Sequence, residues 1–136
     1  MTFLPVVEDV SVRIPVGWAL VEEADTFVQL VPDDTSVGAV TIEVLARRYT
    51  DSPTLAEAKS LCLDFARNLG GDGLVVTTSY VGQAVQARTV AVDHAGMGWY
   101  VIVHVTIRHA VILSFVHDAQ PSEGLTRAMA DVGNML

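Results

Sequence analysis

"WYVIVHVTIRHAVILSFVH", residues 99 to 117, decides the fold. Trp99–Ile107 is the longest apolar run in the chain, broken by His104 and Thr106. It is far shorter than the roughly 18 residues a membrane helix needs, and it is rich in β-branched side chains. It reads as a strand. Val111–His117 is a second strand, and "RHA" between them is a short hairpin loop. If Ile107 opposes Val111, then Val105 opposes Leu113, Val103 opposes Phe115 and Val101 opposes His117, with Trp99 extending the same face. That face is almost wholly apolar and needs a helix over it. The other face carries Tyr100, Ile102, His104, Thr106, Ser114 and Val116, a mixed set that predicts partial cover.

Outward from the hairpin, the expected order is four strands, a helix, four strands and a helix. Val10–Ile14 alternates, with Val10, Val12 and Ile14 on one side of Ser11 and Arg13. Pro15 ends ladder pairing because it has no N–H, and Gly17 permits a turn before Trp18–Val21. Thr26–Val31 and a strand from Val40 to about Ala46 follow. "DSPTLAEAKSLCLDFARNLGG" (51–71) carries helix punctuation: Ser52 or Asp51 as N-cap before Pro53, or Thr54 with Glu57 as a capping box. Leu55, Ala58, Cys62, Phe65 and Leu69 make its apolar stripe, with Leu63 outside it.

Strands Leu74–Val81 and Ala84–Val92 come next, then the long hairpin. A last helix carries Leu125, Ala128, Met129, Val132 and Leu136. The register of 84–92 is ambiguous by one residue. One choice puts Val85, Ala87, Thr89 and Ala91 under the apolar face and Arg88 beside His104. The other buries Val90 and Val92 and drives Arg88 onto the apolar face. The first avoids an unpaired buried charge and is preferred.

Length fits one domain spanning 1–136, and a hydrophobic fraction of 51% gives it enough core without staples. Cys62 is the single cysteine, so an internal disulfide is excluded. The opening "MTFLPVVEDV" shows no basic n-region or apolar h-region, which predicts a cytoplasmic protein without a membrane role. Eight basic residues against sixteen acidic ones give a net charge of −8. Nucleic acid is a poor partner for that balance.

The chemistry-bearing residues do not assemble into a motif. His94, His104, His109 and His117 lack metal-ligand spacing, and His104 and His117 fall on opposite faces of the expected hairpin. No G-x-S-x-G elbow is present, and Cys62 sits mid-stripe on a helix as a structural thiol does. "GGDG" (70–73) precedes a strand, whereas phosphate loops follow one. No cofactor or metal is expected. One constellation remains: Arg88, Tyr100, His104, Thr106 and Ser114 on adjacent strands of one face. Arg88 could fix an anion and His104 could titrate near neutrality. Leu63, with the Met97 and Trp99 corner, is the candidate contact surface.

The element order, and the strand that ends in Pro15, Gly17 and Trp18 (P-x-G-W), resemble the PsbP-like family. This group takes in the photosystem II PsbP protein, Mog-type and DcrB-like proteins, LpqN-type lipoproteins and Eag-type chaperones. The resemblance implies an α+β domain: an α/β/α sandwich around a twisted, mainly antiparallel sheet, in the order ββββ-α-ββββ-α. It also implies a non-enzymatic role. No residue matches a functional motif of any member, so no site is carried over. The lipoprotein members carry a cysteine near their start, whereas Cys62 lies in a helix. The expected function is that of a small binding or chaperone-like protein holding a protein partner. The alternatives are a small-ligand or enzymatic pocket on the Arg88/His104 face, and a homodimer.

Overall fold

A computed structural model of the chain describes residues 2–48, 51–92, 95–118 and 120–136; His94 lies outside them. The element order is β1 (Thr2–Val7), β2 (Val10–Ile14), β3 (Trp18–Ala24), β4 (Phe27–Pro32), β5 (Gly38–Ala46), α1 (Leu55–Asn68), β6 (Thr77–Val81), β7 (Ala84–Val92), β8 (Met97–Val105), β9 (His109–Asp118) and α2 (Glu123–Gly133). Strands β3 to β9 form one antiparallel seven-stranded sheet in the order β3-β4-β5-β9-β8-β7-β6. Strands β1 and β2 form a separate two-stranded ribbon.

This corrects the expected α/β/α sandwich in ββββ-α-ββββ-α order. Among the described residues strand accounts for 50% and helix for 19%, five strands precede α1, and the first two leave the main sheet altogether. One face of the sheet packs α1 through Ala58, Cys62 and Ala66 against Val85, Ala87, Val101, Val103, Val105, Ala110 and Ile112. The other face is covered by two elements. The ribbon (Val10, Val12) and α2 (Ala128, Val132) share it, over Val28, Leu30, Val40, Ile42, Ile102, Val111, Leu113 and Phe115. An 11-residue helix and a five-residue ribbon strand cannot span seven strands. They leave the β6 end and the last residues of β7 open.

The hairpin register also differs from expectation. Val103 opposes Ile112, not Phe115, a slip of three residues. The slip follows from a tighter turn than "RHA": Thr106 N–H donates to the His109 carbonyl at 2.9 Å, and His109 N–H donates to Thr106 Oγ1 at 3.1 Å. Only Ile107 and Arg108 remain in the loop. An odd slip exchanges the faces of one strand, so β9 turns its even residues toward α1. Strand β7 takes the register that puts Val85, Ala87, Thr89 and Ala91 on the α1 side.

Pro15-Val16-Gly17-Trp18 is a type II turn, with Gly17 at φ 87° and Trp18 N–H donating to the Pro15 carbonyl at 3.2 Å. It turns the chain out of the ribbon and into the sheet. Trp18 packs edge-on to Phe115 and donates Nε1–H to Asp131 of α2 at 3.0 Å. Thr54 caps α1 through the Glu57 N–H, and Ser122 caps α2 through the Leu125 N–H.

Candidate functional site

The face that carries Arg88 holds a directed chain of hydrogen bonds. Strand alternation places Gln86, Arg88, Tyr100 and His104 on the ribbon and α2 side. Arg88 donates to the Gly133 carbonyl (2.8 Å), to Tyr100 Oη (3.1 Å) and to Gln86 Oε1 (2.9 Å). A guanidinium only donates, so the Gln86 atom facing it is the amide oxygen. The Gln86 amide nitrogen therefore donates to His104 Nδ1, 2.8 Å away. His104 must accept there, which fixes its neutral form with the proton on Nε2. Burial holds its pKa below the ordinary imidazole value; the Arg88 charge adds to this and Asp9 opposes it.

Arg88 thereby caps the C-terminus of α2, where unpaired carbonyls gather negative charge. The approach is close but not one that requires glycine: a Cβ at Gly133 would lie in ordinary contact, 3.5 Å from both Arg88 Nη1 and Tyr100 Oη. Arg88 is a structural cation that also borders open space.

Thr106 and His109 belong to a second cluster, where the ribbon turn meets the β8–β9 turn. His109 Nδ1 lies 3.1 Å from Asp9 Oδ1, and Arg108 Nη1 lies 3.3 Å from Glu8 Oε2. Burial works to raise the Asp9 pKa, but hydrogen bonds from Thr106 and His109 outweigh it and hold the carboxylate below its ordinary range. Ser114 is not with either group. It opposes Val101 on the α1 side and is buried there.

The candidate contact residues are also dispersed. Leu63 is half-buried on α1. Trp99 packs into the α1-side core, and its buried Nε1 has no hydrogen-bond partner. Met97 begins β8 opposite Asp118 and is exposed. His117 lies on the ribbon side, stacked on Phe115 at 5.2 Å, with its ring where a Gly98 Cβ would stand.

The open part of the face lies beside Arg88. A cleft of about 600 Å³ is lined by Leu74, Val75, Arg88, Val90, Val92 and Tyr100, among others. Val90 and Val92 are 53% and 55% exposed, and Val75 stands out on the flank. On the far side of Arg88 a second cleft, about 510 Å³, runs between Ser79, Val81, Gln86, Arg13 and Phe3. His104 lines neither cleft. Sequence reasoning passed over Val75, Val81, Val90 and Val92. The signal was present: the preferred register of 84–92 sends Val90 and Val92 to the face opposite α1.

Burial pushes the Cys62 thiol up to about 11, which suits a packing role and not a nucleophile. Among the described residues no group of three or more His, Cys, Asp or Glu side chains is placed to hold a metal ion. Among them, too, no helix is long and apolar enough to cross a membrane. Compared with known proteins, the chain matches no protein-family model and no curated protein sequence.

Proposed function

We propose that the protein is a non-catalytic binding module that holds a protein partner on the open end of its sheet. The observation that carries this reading is the apolar cleft of Val75, Val90, Val92 and Tyr100, left uncovered where the ribbon and α2 run out. Contiguous exposed apolar surface beside polar groups is characteristic of contact sites. Arg88 and Tyr100 stand at its border, residue types that anchor interfaces. The resemblance of Pro15, Gly17 and Trp18 to the PsbP-like motif supports a binding role by analogy.

A photo-crosslinking residue at position 90 or 92, introduced in the native host, tests the reading. It should capture a defined protein that the same residue at Val16, exposed on a distant turn, does not. Val90→Asp should abolish capture by position 92. Identical capture from positions 16 and 92 would sink the proposal.

A small anion at Arg88 is the second reading, favoured by the clefts on both sides of the guanidinium. It must compete with the Gly133 carbonyl for the same N–H groups. Calorimetric titration with inorganic phosphate separates the two readings.

A further inference from the structure

The sheet has two edges, and they are built differently. Strand β3 carries Glu22 and Glu23, is followed by Asp25, and shifts register between Leu20 and Glu22. Charge and a bulge are the devices that keep an edge strand from pairing with another chain. Strand β6, Thr77-Thr78-Ser79-Tyr80-Val81, has neither. Its register against β7 is unbroken, all five residues are exposed, and no charged residue occurs between Asp72 and Arg88.

The pairing potential of β6 can be read from its turn. Val81 and Ala84 flank the two-residue turn Gly82–Gln83, with Gly82 at φ 63°, as in a type II′ turn. The residues closing such a turn bond to each other, so Val81, Ser79 and Thr77 direct their backbone groups to β7. Thr78 and Tyr80 direct theirs outward, to the free edge. These two positions are symmetric about Ser79. An antiparallel two-fold pairing centred on Ser79 sets Thr78 against Tyr80 of the other copy, twice. Each match is a hydrogen-bonded pair, and Ser79 faces Ser79 as the non-bonded pair between them. It is also the register of longest overlap.

We infer that β6 pairs antiparallel with β6 of a second copy of this chain, about a two-fold axis through Ser79. A copy is a better occupant than a foreign strand for two reasons. Chains of net charge −8 repel over most of their surface, and β6 is the neutral edge where they can meet. Pairing also closes the assembly: the edges left in the joined sheet are the two β3 strands, both guarded by glutamates, so growth stops at the dimer. The open faces beside β6 then become continuous across the axis.

Size-exclusion chromatography with light scattering tests this on the whole chain over a wide concentration range. The wild type should show twice the 14.6 kDa chain mass. Ser79→Lys sets like charges directly opposite each other and should halve that mass, with the circular dichroism of a folded chain unchanged. Ser79→Cys should form an intermolecular disulfide on mild oxidation, because a non-hydrogen-bonded pair lies at the close end of the cross-strand Cβ range, about 4.5 Å, within reach of disulfide geometry. Thr77→Cys should not. A wild type monomeric at every concentration overturns the inference. So does a dimer that folded Ser79→Lys leaves intact, or equal crosslinking at 77 and 79. Val90→Asp should abolish partner capture and leave the dimer mass unchanged, so the two proposals fail separately.

Discussion

Arg88 shows how one side chain can look like a binding residue and act as a cap. In sequence it is a lone cation on a mixed face. In the structure it donates to a helix-terminal carbonyl, a phenol and an amide. Arg88→Met keeps most of the packing and leaves those acceptors short of a donor. It should lower stability by about 1–3 kcal/mol in urea unfolding. A neutral result would mean the guanidinium is not needed by the fold and is free for a ligand. His104 supplies the pH counterpart. Its folded pKa lies below the unfolded value near 6.5, so the unfolded chain binds the proton more readily. Stability from this group is complete above about pH 6.5 and falls as the pH drops through the folded pKa. Urea midpoints of wild type should decline over that window, and His104→Gln should flatten the decline. An equal slope in both proteins would assign it to other groups. The polar pattern let Arg88, Tyr100 and His104 be grouped in advance. Gln86, the link that fixes the His104 tautomer, was not seen, because a glutamine mid-strand carries no sequence signal of its partner.

At the scale of elements, local punctuation and the facing of β7 were legible, and the register of the long hairpin was not. Thr54 with Glu57 was one of two cap choices, and both helices begin at hydroxyl caps. The register of the long hairpin turned on whether Thr106 closes the turn, and a side-chain hydroxyl bonding its own loop leaves no periodic trace. That single point moved Ser114 to the other face. Strand β1 escaped notice because Pro5 interrupts its alternation and its partner is a ribbon strand outside the main sheet. The start of α1 carries a further dependence the sequence did not show. Arg47, at the end of β5, has a side chain only 4% exposed and meets Glu57 through two bonds of 2.6 Å. It also reaches the Asp51 and Ile107 carbonyls. One residue therefore ties β5, the first turn of α1 and the β8–β9 turn. Glu57→Ala removes both short bonds and leaves Arg47 only the exposed Asp51 carboxylate, 3.6 Å away, and the two carbonyls; it should cost about 1.5–3 kcal/mol in chemical denaturation. Thr54→Ala removes only the cap, at about 1 kcal/mol. If the cap variant proves the more damaging, Arg47 is not the anchor of this corner.

The whole molecule is two cores on one sheet. The α1 core takes Val101, Val103 and Val105 from β8, and the ribbon-side core takes Ile102 from the same strand. Strand β9 divides likewise, with Ala110 and Ile112 on one side and Val111, Leu113 and Phe115 on the other. Neither core can lose its packing without withdrawing strands from the other, so unfolding should be a single transition despite the separate ribbon. The chain carries a reporter on each side. Trp18 packs against the ribbon-side core and bonds to Asp131, and Trp99 packs against the α1-side core. Trp99→Phe leaves fluorescence to Trp18, and Trp18→Phe leaves it to Trp99. The second variant also loses the Asp131 bond and should be the less stable of the two. Within each variant, the urea midpoint by fluorescence should coincide with the midpoint by far-ultraviolet circular dichroism. A fluorescence midpoint from Trp18 that precedes the circular dichroism midpoint would mean that the ribbon and α2 release the sheet first. The open end of β6 and β7 would then extend across the whole ribbon-side face, and the surface available to a partner would depend on how far that release is populated in native conditions.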